Sequence, residues 1–160
     1  MMRPSGGWVG PAPLVAAVMC GVACGGKGED SGSALPPPDV SGRYNVTVLG
    51  TSGCDGDPSW TDGWARGPLT VAASGAALEL DFGDPALLSG ELDGRGEWRA
   101  IGGFAHQGAE LSVIASGAFV EEEEVWTLDA DLSVTVVADG ADPCTQDARA
   151  AAQELQALER

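Results

Sequence analysis

The longest regular pattern in the chain is an alternation of apolar and polar residues over positions 126–137. Its apolar set is Trp126, Leu128, Ala130, Leu132, Val134 and Val136. A period of two over this length predicts one β-strand with a buried side and a solvent-facing side. The preceding segment alternates in the same way, with Leu111, Val113, Ala115, Gly117 and Phe119 on one side. The glutamates at positions 121–124 lie between the two segments, so the pattern predicts a long β-hairpin with an acidic tip.

Shorter alternating segments precede this hairpin, separated by turn residues such as Ser74-Gly75 and Asp93-Gly94. Their inward positions are Tyr44, Val46 and Val48, then Leu69, Val71 and Ala73, then Leu78, Leu80 and Phe82, then Leu88, Gly90 and Leu92, then Trp98 and Ala100. Together, the alternating segments predict a mainly β domain over residues 40–160, which is an antiparallel up-and-down meander or small barrel of seven or eight strands. Closure is favoured because it leaves no exposed strand edge.

The C-terminal segment shows a different spacing. Ala148, Ala151 or Ala152, Leu155 and Leu158 recur at helical intervals, and Asp142-Pro143 precedes them as a helix start signal. The pattern therefore predicts one α-helix over residues 145–159, packed on the sheet.

The N-terminal segment carries one fixed positive charge, Arg3, followed by a ten-residue apolar run at positions 14–23. A bilayer-spanning helix needs about 20 apolar residues, so this run has the length of a signal peptide, over residues 1–23. Its end, Val22-Ala23-Cys24-Gly25, resembles the lipobox of bacterial lipoproteins. The resemblance implies that Cys24 is acylated with fatty acids such as palmitate and heads the mature chain.

Two alternatives for this processing site stay open. Cys20 is a second candidate for the lipid, and a cleaved signal peptide without a lipid would release a free exported protein. In lipoproteins the residue after the modified cysteine influences sorting, and Gly25 implies retention at the outer membrane. Residues 24–39 are rich in glycine, serine and proline, which predicts a tether that is flexible and then extended at Pro36, Pro37 and Pro38.

Charge narrows the choice of partners. All 24 acidic residues lie beyond position 23, together with seven of the eight basic residues, which gives the chain after the signal peptide a net charge of −17. Such a charge repels nucleic-acid phosphates, so nucleic-acid binding is not expected. Lys27 is the one lysine, and it lies in the tether, which removes Schiff-base chemistry from any folded site.

The four cysteines have different expected roles. Cys20 leaves with the signal peptide and Cys24 takes the lipid, so Cys54 and Cys144 remain in an oxidising compartment, where a disulfide is expected. The alternative is a zinc site, which would need carboxylates besides the two sulfurs and His106.

A second resemblance concerns the layout of residues 40–160. Gly42-Arg43-Tyr44 at the start of the first strand, the antiparallel meander, the disulfide to the end of the chain and the terminal helix together resemble bacterial lipocalin-like lipoproteins. The resemblance implies a β-barrel held at the envelope by its lipid.

Candidate binding residues lie in the loop after the first strand. Trp60 and Trp64 are placed to cover a small apolar or glycan ligand at the barrel rim, or else to plug the barrel end. The segment that contains Asp55, Asp57 and Asp62 starts like a calcium-binding loop, because hard cations prefer several oxygen ligands. An ordinary acidic turn explains the three aspartates as well.

Catalytic chemistry is not expected. The single histidine, His106, is not accompanied by a nucleophile-elbow sequence, and Asp129 and Asp131 fall on the solvent-facing side of their strand. We therefore expect no enzyme and no cofactor. The sequence favours a membrane-anchored envelope lipoprotein that acts as a binding or structural module, with an envelope protein or a small ligand as partner; a calcium-binding module is the alternative, and a hydrolase is less favoured.

Overall fold

The computed structural model describes residues 35–54 and 60–157, and the predicted signal peptide, Cys24 and most of the predicted tether lie outside these residues. The described part contains eight antiparallel strands and no helix. Each strand pairs with the next in sequence, and the last pairs with the first to close a barrel. The strands are β1 (Gly42–Gly53), β2 (Gly67–Ser74), β3 (Ala77–Asp81), β4 (Leu87–Leu92), β5 (Glu97–His106), β6 (Ala109–Glu122), β7 (Val125–Ala138) and β8 (Cys144–Ala157). The predicted small antiparallel barrel is confirmed.

The predicted alternation forms the core. In the β6–β7 ladder Leu111 pairs with Val136 and Val113 with Val134, and all four side chains are buried inside the barrel. Near the start of β1 the fully buried Tyr44 donates its hydroxyl hydrogen to the Val40 carbonyl at 2.7 Å. This bond satisfies the polar atom that burial of a tyrosine would otherwise leave without a partner.

The predicted helix over residues 145–159 is wrong: residues 145–157 belong to the strand β8, which pairs with β7 and with β1. The side chains inside the barrel recur with a period of two: Gln146, Ala148, Ala150 and Ala152. This period is hard to see in the sequence because Ala151 and Leu155, on the outer side, are apolar as well. Alanine favours a helix by only a few tenths of a kcal/mol per residue. Closure gives the backbone groups of β1 and β7 their partners, and this tertiary pairing outweighs the local propensity.

The strand directions define two barrel ends. β1 begins at the end where the tether arrives, and the turn between β6 and β7 and the end of β8 lie there too. We call this the tether end. The opposite end, which we call the far end, carries the end of β1, the start of β8 and the β5–β6 turn. Strands β2, β3 and β4 have 5 to 8 residues, whereas β6, β7 and β8 have 14, so the barrel wall is uneven in height.

Gly117 in β6 is required by close backbone packing. A Cβ atom at this position would overlap the carbonyl oxygen of Asp129 in the neighbouring strand. We expect Gly117→Ala to lower the free energy of unfolding by about 2 to 3 kcal/mol, because β6 and β7 would have to separate locally. Denaturant unfolding followed by circular dichroism measures the loss.

Gly103 in β5 provides the matched control, since the nearest atom to its added Cβ is the Leu111 carbonyl oxygen at 3.6 Å, an ordinary contact. Gly103→Ala is expected to change stability by less than about 1 kcal/mol, with a small gain from the stiffer unfolded chain. Equal losses in both variants would contradict the assignment of Gly117.

Candidate functional site

The barrel interior is filled by side chains. The apolar cavity inside it, lined by Val46, Leu80, Trp98 and Leu128 among others, has a volume of about 10 Å³. Sites that hold small organic ligands have roughly 300–1,000 Å³. A space of this size is comparable to a single water molecule, and an apolar lining offers that water no hydrogen bonds. The centre of the barrel is therefore a packed core.

Residues 60–66, which we call the plugging loop, lie at the far end. The Trp64 ring is buried there and makes edge-to-face contacts with Phe82, at a centroid distance of 5.3 Å, and with Phe104, at 5.0 Å. Its indole N–H donates to the Trp60 carbonyl at 2.6 Å, and Trp60 itself is partly buried against the core. Trp64 is therefore part of the core at this end of the barrel, and a binding role for the tryptophan pair stays a prediction.

The disulfide between Cys54 and Cys144 is present, with Cα atoms 5.3 Å apart and 90 positions apart in sequence. It joins the residue after β1 to the first residue of β8 at the far end. The expected use of this cysteine pair is confirmed.

Of the three candidate calcium ligands, the structure describes Asp62 alone. Asp62 forms an ion pair with Arg66, with a distance of 2.8 Å between Oδ1 and Nε. Asp55 and Asp57 lie outside the described residues. Among residues 35–54 and 60–157, no group of three or more acidic, histidine or cysteine side chains is arranged to hold a metal. Calcium binding by this loop stays a prediction.

His106 lies at the far end, where β5 ends. A Cβ on Gly63 would stand 2.8 Å from its Cε1 and Nε2 atoms, so the imidazole packs directly on the plugging loop. Within the part of the chain that the structure describes, the buried Nε2 atom has no hydrogen-bond partner. Asp129 and Asp131 are exposed on the outer face of β7, as their alternation predicts.

A groove on the outside of the barrel has a mixed polar and apolar lining. It has a volume of about 790 Å³ and lies across β6, β7, β8 and the end of β1. Its walls include Leu49 and Ile114, which are 60% and 47% exposed. The floor between them carries Asp131, Ser133, Asp147 and Arg149. We call this the outer groove.

A β-bulge in β1 shapes this groove. Val48 pairs with Ala150 of β8 and Gly50 pairs with Arg149, so Leu49 is left without a partner in the ladder. Bulges bend a strand and increase its twist. From this bulge to the end of β1, residues 49–53 are exposed on both faces of the strand. Leu49 and Ile114 lie on strands three steps apart in the wall, a separation of about 14 Å.

The floor of the outer groove combines hydrogen-bonding and charged groups. The Ser133 hydroxyl donates to Asp147 Oδ1 at 2.9 Å, which fixes one carboxylate in place. Asp131 stands opposite Arg149 in the β7–β8 ladder, yet within the described residues Arg149 forms no ion pair shorter than 4.0 Å. The floor therefore presents two carboxylates and one guanidinium to solvent.

The sequence pattern did not reveal this groove. Its local signal is Ile114, which together with Val120 interrupts the otherwise small or polar outward set of β6. The other wall depends on a bulge, which a two-residue period cannot show, because the bulge arises from the pairing of β1 with a strand almost 100 positions later.

The acidic tip at the tether end is fully exposed at residues 121–124. Glu123 and Glu124 form the turn with positive φ angles of 52° and 69°, a conformation that asparagine and glycine adopt more readily. Four adjacent carboxylates at this end discourage contact with an anionic lipid surface.

Comparisons with known proteins give no relative for the chain. No helix in residues 35–54 or 60–157 is long and apolar enough to cross a membrane. The chain matches no protein-family model, and searches of curated proteins and of solved structures find no similar protein.

Proposed function

We propose that this chain is a lipid-anchored module of the bacterial envelope that binds another macromolecule through the outer surface of its barrel. The observation that carries the binding mode is the filled interior. A cavity of about 10 Å³ leaves no room for an internal ligand, and Trp64 closes the end through which one would enter. A barrel of this kind serves as a rigid scaffold, with its function on the outside.

Export and anchoring are supported by two features. The segment before Cys24 resembles a signal peptide with a lipobox, and the Cys54–Cys144 disulfide fits an oxidising compartment outside the cytoplasm. A chain acylated at Cys24 is held by two or three fatty acids, because one acyl chain alone binds membranes only reversibly. Gly25 supports the outer membrane as the destination.

Mass spectrometry of the intact protein, purified from its own membrane, tests both parts of the proposal. Under denaturing conditions we expect the mass of residues 24–160 plus the acyl groups on Cys24. Under native conditions we expect no additional small molecule, because the interior has no space for one.

Cys24→Ser is the control for the anchor, and Cys20→Ser is its matched partner four positions earlier. The first variant is expected to lose the acyl mass and the membrane association, and the second to keep both. An unmodified wild-type protein would contradict the anchor. A ligand that survives native ionisation from a barrel with an intact Trp64 would contradict the filled-barrel binding mode.

A further inference from the structure

We infer that the outer groove binds a cationic polypeptide segment in which basic and apolar side chains alternate. The inference deepens the proposed function, on whose outer-surface binding mode it rests, by naming the chemistry of the partner. It is carried by the shape of the groove, the two kinds of side chain in it, and its position on the barrel.

The apolar walls supply the first part of the recognition. Leu49 and Ile114 are large, exposed and held on two rigid strands, with a floor of about 14 Å between them. An extended segment of four to six residues spans this distance at about 3.3 Å per residue. Its apolar side chains can cover Leu49 and Ile114 while its backbone lies over the serine and aspartate floor.

Charge supplies the second part. Asp131 and Asp147 outnumber Arg149 in the groove, and the whole chain after the signal peptide has a net charge of −17. Such a field attracts a cationic segment and repels an anionic one over the distance of a Debye length. A second copy of this chain is disfavoured for the same reason, since it carries the same net negative charge.

The outer groove lies away from the end at which residues 35–41 lead into the barrel. The tether arrives at the end of the barrel where β1 begins, whereas the outer groove is formed by the last residues of β1 and the first residues of β8. The groove therefore lies toward the far end, and its carboxylates disfavour an anionic lipid surface as the occupant. The exposed glutamates at residues 121–124 lie at the tether end itself.

The test uses the full chain in detergent and a synthetic six-residue peptide of alternating lysine and leucine. Comparison peptides replace every lysine by glutamate or every leucine by serine. Fluorescence anisotropy at low salt is expected to show binding of the first peptide, with about tenfold weaker binding of the serine version and none of the glutamate version. Binding is expected to weaken as salt is raised.

Matched variants on the same strands locate the site. Asp131→Asn is expected to weaken binding about threefold, whereas Asp129→Asn, two positions earlier on the same face of β7, leaves it unchanged. Ile114→Ser is expected to weaken it about tenfold, whereas Val120→Ser on the same face of β6 does not. Arg149→Gln is expected to change the peptide affinity in the opposite direction: removal of the one cation in the groove tightens binding about threefold.

Three results would overturn the inference. Equal losses in Asp131→Asn and Asp129→Asn would show general charge attraction without a site. Weaker binding in Arg149→Gln, or preference for the glutamate peptide, would show an anionic partner. A dimer in analytical ultracentrifugation that Ile114→Ser dissociates would show that a second copy occupies the groove. All of these outcomes leave the acyl mass and the filled barrel, tested separately above, unaffected.

Discussion

Removal of the Cys54–Cys144 disulfide is expected to lower the free energy of unfolding by about 4 to 5 kcal/mol. The two cysteines are 90 positions apart, and chain-entropy arguments give roughly this value when a loop of that length is released in the unfolded state. Because a domain of this size has a total stability of about 5–15 kcal/mol, the effect is large. Guanidinium chloride unfolding of the wild type and the Cys54→Ala, Cys144→Ala double variant measures it.

The same experiment separates two consequences of the disulfide. If the crosslink acts through the unfolded chain, the midpoint falls while the native circular dichroism spectrum is unchanged. If it also holds the end of β1 against the start of β8, amide hydrogen exchange will increase selectively in these two segments. A loss below about 1 kcal/mol would contradict the entropic expectation and would indicate an unfolded state that is already compact.

The architecture of the barrel was predictable because its walls follow a simple rule. Inward positions of β6 and β7 alternate without interruption, and the burial of Leu132 and Val134 matches the pattern residue by residue. The alternation did not predict β8, because its inward residues are mostly alanine and its outward Ala151 and Leu155 are also apolar. Local propensity then favoured a helix. The decisive interaction, the pairing with β1 about 100 positions away, cannot be seen in a local window.

The predicted site residues show a similar division. Cys54 and Cys144 could be paired from the sequence because chemistry and compartment left few alternatives. The tryptophan loop could be located but its role depended on how much interior space remained, which is a property of all eight strands together. The outer groove depends on one bulge at Leu49 and on the curvature of four strands, so no stretch of sequence contains its outline.

Truncation of Trp64 tests whether the far end is part of the core. Trp64→Ala is expected to lower the free energy of unfolding by about 3 to 5 kcal/mol, because it removes a buried ring that packs on Phe82 and Phe104 and leaves a cavity behind. Denaturant unfolding followed by circular dichroism measures the change. Trp60→Ala, at the partly buried neighbour, is expected to cost about 1 to 2 kcal/mol.

A second measurement distinguishes a plug from a ligand gate. If Trp64 is a plug, its removal creates a dry apolar cavity next to Phe82 and Phe104, and benzene will stabilise Trp64→Ala but not the wild type, as apolar ligands do in engineered cavities. If Trp64 covers an existing ligand site instead, the wild type will bind small apolar molecules and the truncation will change stability by less than about 1 kcal/mol. The two readings therefore predict opposite responses of the wild-type protein to the same ligand. The edge-to-face contacts at 5.3 Å and 5.0 Å favour the plug, because they already occupy the space that a ligand would need.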